Sequence, residues 1–144
     1  MELTRVIKGK IEKCFALLED ACLEDIKAST EEETNTISLH AGYTYRKVLK
    51  TKMGVSGHVD VEITEFEAPK HYSAAFSSAQ GINTITYELT QIDDDSMSVH
   101  YVEDFVSLTK SKNLNYKIMS KLYKKSTMKR ANMLLDQLEN LMNL

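Results

Sequence analysis

Hydrophobic positions in this chain alternate at period two near the start, switch to helical spacing, return to period two through the middle, and end on helical spacing again. Glu2 to Lys8 predicts a first strand with Leu3, Arg5 and Ile7 on one side, ending at Gly9. Ile11, Phe15, Leu18 and Cys22 then recur at steps of four, three and four, which puts them on one helical face with Cys14 and Leu17 beside them. A second short helix is expected from Leu23 to Ala28. The polar segment STEEETNT, Ser29 to Thr36, reads as an exposed loop.

Five strand-like runs follow. Tyr43 to Lys50 is rich in aromatic and β-branched residues, and the loop from Thr51 to Ser56 contains Gly54. Gly57 to Glu67 alternates, with Val59, Val61 and Ile63 on one face and Asp60, Glu62 and Thr64 on the other. Pro69, which has no amide donor, ends that ladder in a turn. His71 to Gln80 sets Tyr72, Ala74 and Phe76 on one face. After Gly81, Ile82 to Ile92 does the same with Ile85, Tyr87 and Leu89. Asp93 to Ser96 is an acidic turn, and Met97 to Leu108 sets Met97, Val99, Tyr101 and Phe105 on one side, with Glu103 in phase with them. Short turns between successive strands predict an antiparallel meander.

A long helix closes the chain, from about Asn113 to Leu144, carrying Leu114, Ile118, Leu122, Ala131, Leu134, Leu135, Leu138, Leu141 and Met142 at helical spacing. Ser126 and Thr127 interrupt its stripe where aliphatic groups would fit. Met119, Tyr123, Met128 and Met133 widen its first half, either as core filler, the commoner use of methionine, or as the adaptable lining of a cavity. Such a helix has only the strands to pack against. The element order therefore predicts one α+β domain spanning residues 1–144, a curved antiparallel sheet of about six strands wrapped around the last helix, with space between them.

Composition narrows the class without naming a function. The 144 residues are 42% hydrophobic and 27% charged, ordinary for a globular domain of this size, and no run approaches a membrane span of roughly 18 apolar residues. The opening MELTRVIKGK lacks the apolar core of a signal peptide, so a cytoplasmic location is expected. Cys14 and Cys22 lie about 12 Å apart along one helix at roughly 1.5 Å per residue, too far for a disulfide, and are expected as buried thiols. His40, His58, His71 and His100 are scattered singly, so no metal site is expected.

The net charge of −3 is unevenly spread, because Thr109 to Arg130 holds eight Lys or Arg and no acid. Lys117, Lys121, Lys125 and Lys129 recur every four residues. That spacing is read as the wet face of an amphipathic helix, with a protein partner at Lys117, Lys121 and Lys125 as the alternative. Nucleic-acid binding is not expected, since basic and aromatic residues do not interleave on the strands.

Candidate chemistry centres on Glu103. If its face of the last strand points inward, the carboxyl lies between Tyr101 and Phe105 in an apolar tunnel with a raised pKa, as an acid or base would need. The reading adopted here is the other one, in which the strand bulges or ends near Glu103 and Asp104 and leaves both in water, because buried carboxylates are rare. Asp60, Glu62, Glu65 and Glu67 read as a solvated face. His71 and His100 have no nucleophile at a recognisable spacing, and no phosphate-cradling or dinucleotide glycine motif occurs, so no cofactor is expected. Tyr45, Tyr72, Tyr87, Tyr101 and Tyr123 are the better clue, each an apolar ring with a hydroxyl that needs a partner.

The segments IKGKIEKCFALLED, EITEFEAPKHYSAAF and TITYELTQIDDDSMSVHYVEDF, together with the closing helix, resemble the START-like superfamily, also called SRPBCC. That superfamily includes polyketide cyclase and dehydrase-type proteins, plant pathogenesis-related proteins and small bacterial members known only as domains of unknown function. Phe15 looks like the inward aromatic of its first helix, and Cys14 stands where the family usually has valine. The resemblance implies a helix-grip fold with two short helices after the first strand. It does not fix a function. Members bind lipids, sterols, polyketides or plant hormones, some catalyse cyclisation or dehydration, and others activate chaperones.

The leading expectation is a module that binds a small hydrophobic or amphipathic molecule, a lipid or aromatic metabolite, through Tyr45, Val61, Ile63, Phe76, Tyr87, Tyr101, Phe105, Met119, Leu122 and Tyr123. The alternatives are a cyclase or dehydrase-type enzyme using Glu103 or a tyrosine hydroxyl in the same cavity, and a protein-interaction module.

Overall fold

Alternation and helical spacing produce the elements they predict in the structure, a computed structural model that describes residues 1–33, 37–48, 57–107 and 115–144, with side chains from 123 onward in the last segment. The order is β1 (Glu2–Lys8), α1 (Ile11–Thr30), β2 (Thr44–Val48), β3 (His58–Glu67), β4 (His71–Ser77), β5 (Gly81–Gln91), β6 (Ser96–Ser107) and α2 (Asn115–Met142). Six antiparallel strands form one curved sheet in the order β1-β6-β5-β4-β3-β2. The meander from β2 to β6 places its last strand beside β1, and α1 carries the chain from one edge of the sheet to the other. Both helices pack on one face of the sheet, as in a helix-grip fold.

α1 corrects the expectation of two short helices. Neither glycine nor proline occurs from Ile11 to Thr30, and Ile26 continues the buried row Ile11, Cys14, Phe15, Leu18 and Cys22, so the helix runs unbroken to Thr30. Ser29 and Thr30 thereby leave the predicted loop for the helix. Glu31, in the left-handed region at φ 61°, ends it by donating its N–H to the Lys27 carbonyl. At the other end Ile11 donates its N–H to the Gln91 side chain at 2.9 Å, since Lys10 supplies no cap.

β3 alternates only as far as Ile63. A register shift between Ile63 and Glu65 changes the phase, so Phe66 rather than Glu65 faces the helices. Its ring meets Phe15 edge-on at 5.3 Å and begins an aromatic row through Tyr72, Tyr87 and Tyr101, with centroids 6.2, 6.0 and 5.2 Å apart in turn. That row runs across β3, β4, β5 and β6. Below it Ile7, Cys14, Phe15, Leu89, Met97, Val99, Leu135 and Leu138 close the core, each burial of a large side chain worth about 1.5–3 kcal/mol.

α2 turns a narrower stripe inward than its sequence suggests. Thr127, Ala131, Leu135, Leu138 and Met142 are buried, whereas Met128, Met133 and Leu141 are exposed, Met133 by 63%. The methionines at 128 and 133 therefore neither fill the core nor line a cavity. Thr127, where an aliphatic group would fit the stripe, is 1% exposed.

Candidate functional site

Between the aromatic row and α2 the inward residues turn polar. β5 and β6 pair Ile85 with Glu103 and Tyr87 with Tyr101, and the unbroken register continues to Gly81 and Ser107. Alternation therefore holds through Glu103 and carries it inward, 2% exposed, while Asp104 faces solvent. This overturns the expectation that both lie in water. The burial is sustained by partners from three elements. The Tyr101 hydroxyl donates to Glu103 Oε1 at 2.6 Å, and Asn83 Nδ2 and Arg130 Nη2 donate to Oε2 at 3.0 and 2.8 Å. The three donors replace the hydrogen bonds the carboxyl would make to water. The Tyr101 hydroxyl is held well above the ordinary phenol range, first by burial and then by its bond to Glu103.

A second polar group lies toward α1. Tyr45 donates its hydroxyl to Asp25 Oδ2 at 2.5 Å, and Lys47 Nζ meets Oδ1 of the same carboxylate at 2.8 Å. Burial, reinforced by the Asp25 bond, pushes the Tyr45 hydroxyl far up. Next to it Tyr72 donates to Cys22 Sγ at 3.5 Å. Both cysteines are buried free thiols, and burial pushes Cys14 up to about 12.

The two polar groups flank two adjoining lobes of space. One, about 370 Å³, is bordered by Val59, Asn83, Tyr101, Glu103 and Arg130. The other, about 320 Å³, is bordered by Leu18, Asp25, Tyr45, Tyr72 and Tyr87. Lys47, Phe76, Ile85 and Leu134 border both, so the lobes meet over an apolar saddle with a polar cluster at each end. Each lobe is of the size of small-molecule sites, roughly 300–1,000 Å³.

Of the residues expected to line a site, Phe76 borders both lobes, Tyr101 the first, and Tyr45 and Tyr87 the second. Val61 and Ile63 face inward but are sealed, at 1% and 0% exposure, and border neither lobe. Phe105 and Tyr123 cover each other with ring centroids 5.6 Å apart and stay partly in solvent, at 38% and 36% exposure. Tyr123 still reaches Asn83 Oδ1 with its hydroxyl at 3.2 Å. The side chains of Met119, Leu122, Lys117 and Lys121 lie outside the described residues. Lys125 is exposed.

Sequence reasoning missed Asn83, Lys47, Asp25 and Arg130. Asn83 is in phase with Ile85 and Tyr87, and Lys47 with Tyr45, so strand periodicity held a signal for both. Arg130 is one turn before Leu134 on α2, but it ends the run of basic residues, which masks that phase. Elsewhere, Asp60 and Glu62 are exposed as expected, and His71 and His100 lie on the opposite face of the sheet beside Glu65, Glu88 and Glu2. Among the described residues no three His, Cys, Asp or Glu side chains form a metal-binding group, and no helix is long and apolar enough to cross a membrane.

Residues 1–124 match the family described as "Domain of unknown function (DUF3284)". No curated protein matches the chain in sequence. Solved structures share the fold at low identity. A START superfamily protein from Mycobacterium smegmatis is 11% identical with TM-score 0.59, over 98% of this chain and 97% of that one. A protein of unknown function from Staphylococcus aureus is 14% identical with TM-score 0.62, over 99% and 94%. A solution structure of a protein from Arthrobacter aurescens is 13% identical with TM-score 0.64, over 99% and 84%.

Proposed function

We propose, for a chain that belongs to the DUF3284 family and carries a START-like fold, that it binds a small amphipathic molecule between the sheet and α2. The observation that carries this reading is the pair of lobes joined over Phe76, Ile85 and Leu134, apolar along the middle and polar at each end. Burying apolar surface would supply most of the affinity, and the polar ends would set orientation. The cavity would use Tyr45, Phe76, Tyr87 and Tyr101 of the expected residues. Phe105 and Tyr123 would stand at its rim.

Native mass spectra of protein purified from its own host, before and after organic extraction, test the reading. A discrete extra mass that extraction removes is the expected result and identifies the ligand. A bare mass, with no uptake of the neutral fluorophore N-phenyl-naphthylamine by the extracted protein, would overturn it.

One observation favours a second reading, a cyclase or dehydrase-type enzyme in the same cavity, namely the carboxylate of Glu103 in the cavity wall. Its three donors suit a fixed anchor better than a proton carrier. Loss of turnover of the extracted ligand in Glu103→Gln, with the fold intact, would support the enzyme over the binder.

A further inference from the structure

The cavity's polar atoms are not evenly matched, and the imbalance bears on ligand class. Glu103 accepts from Tyr101 on Oε1 and from Asn83 and Arg130 on Oε2, and its side chain is 1% exposed. Both oxygens of Asp25 are likewise engaged, by Lys47 and Tyr45. Asn83 Oδ1 accepts from Tyr123. A carboxylate offers about four lone-pair sites, so with three donors on Glu103 and two on Asp25 more than half of these acceptor sites are taken.

The donors are not. A guanidinium offers five N–H groups and an ammonium three. Arg130 gives one nitrogen, Nη2, to Glu103, and Lys47 gives its ammonium to a single carboxylate oxygen of Asp25. Access differs within one pair only, since Lys47 and Asp25 are equally exposed at 32%. The Arg130 side chain is 60% exposed against 1% for its partner Glu103, so an incoming group meets the cation first. Both cations border the 370 Å³ lobe, beside the apolar saddle of Phe76, Ile85 and Leu134.

We propose that the ligand is an amphipathic acid, its carboxylate taken by the spare N–H groups of Lys47 and Arg130 and its apolar body laid over Phe76, Ile85 and Leu134. The inference rests on the binding reading above and deepens it. Glu103 and Asp25 then act as positioning residues that hold the two cations against the cavity wall. An amine would have to share carboxylates already held by Tyr101, Asn83 and Arg130 or by Lys47 and Tyr45, beside two cations. An alcohol can fill one donor but brings no charge for the guanidinium or the ammonium to match. The acid is either a fatty acid or an aromatic carboxylic acid, since the saddle accepts both kinds of apolar body.

Displacement of N-phenyl-naphthylamine from the full chain at neutral pH tests the inference. Decanoic acid, decanol and decylamine form one competitor series, and naphthoic acid and naphthalenemethanol the other. The acid of at least one series should displace the fluorophore about tenfold better than its alcohol, equivalent to about 1.4 kcal/mol. The series that shows the larger preference identifies the source. Lys47→Gln and Arg130→Lys, each checked by thermal melting, should pull acid and alcohol toward parity in the first and leave most of the preference in the second. Displacement without acid preference would overturn the inference while leaving the binding reading intact. Absence of any fluorophore binding would overturn both. An acid preference unchanged in Lys47→Gln and in Arg130→Gln would place the carboxylate elsewhere and overturn the assignment.

Discussion

Arg130 on α2 donates to the buried carboxylate of Glu103 on β6 at 2.8 Å, and the two side chains are 60% and 1% exposed. The pair is lopsided, and so are the consequences of breaking it. Removing Glu103 returns Arg130 to water, whereas removing Arg130 leaves a sealed negative charge on Tyr101 and Asn83 alone. Glu103→Gln should cost about 1–2 kcal/mol and Arg130→Met about 2–4 kcal/mol. Urea denaturation of both single variants and the double variant measures the order and the coupling. A larger loss for Glu103→Gln would show that Glu103 owes its burial to Tyr101 and Asn83 and little to Arg130.

Cys14 gives the alkaline limb of the stability curve a definite origin. Burial raises its thiol from 9.0 to about 12 in the folded chain, so the unfolded chain releases the proton first. The raised value means that its contribution is fully present below pH 9 and is lost as pH climbs through about 12. Stability should fall by about 1.4 kcal/mol per pH unit for this group across that window. Cys14→Val, with a side chain of similar size, should lessen the fall of the urea midpoint between pH 8 and 9, below the range in which tyrosines near pKa 10 ionise in the unfolded chain. An unchanged slope would assign the limb to Cys22 and the buried tyrosines, which burial also raises.

Gly81 closes the end of β5 against β6 where a side chain has no room. A Cβ there would stand 2.2 Å from the Val106 carbonyl oxygen and 2.8 Å from the Phe105 ring. The obstacle is backbone, so the strands themselves must part. Gly81→Ala should cost about 1–3 kcal/mol. Because Asn83 pairs with Phe105 in the same ladder, amide exchange at both positions should quicken. Exchange that rises everywhere equally would instead indicate a loss of global stability with no local opening.

The sheet, the first half of α1 and the presence of α2 are legible because alternation and helical spacing are properties of consecutive residues, whereas the continuation of α1 past Cys22 is not. Where the sequence misled, the deciding partner lay on another element. Glu103 looked too polar to bury, yet Asn83 and Arg130 reach it from β5 and α2, twenty and twenty-seven residues away. Phe66 fell out of phase because a bulge at Ile63 and Glu65 inserts a residue that no local pattern announces. Met128 and Met133 looked apolar enough for the core, but they fall outside the buried stripe of Thr127, Ala131, Leu135, Leu138 and Met142 and are exposed. Of the five tyrosines expected to approach the interior, Tyr45, Tyr72, Tyr87 and Tyr101 face the helices and Tyr123 stays partly in solvent. Which of their hydroxyls meet carboxylates followed only from the fold.

Ile85 offers a direct test of where a ligand lies. It borders both lobes, pairs with Glu103 across the strands and is only half-buried, so its side chain has room to grow toward the cavity. Ile85→Trp should fill the saddle with an aromatic body that takes the place of the ligand's own. Overpacking in a closed core costs about 1–3 kcal/mol, but here the added ring enters existing space, and the melting temperature should change by only a few degrees. Binding of N-phenyl-naphthylamine should weaken by about tenfold or more, because the apolar contact that supplies most of its affinity is already occupied. The matched control is Ile82→Trp, on the opposite face of the same strand and exposed, which should leave the affinity as it was. Equal affinity in Ile85→Trp and the parent would mean that the fluorophore binds outside the saddle, and the lobes flanking it would lose their claim to be the site.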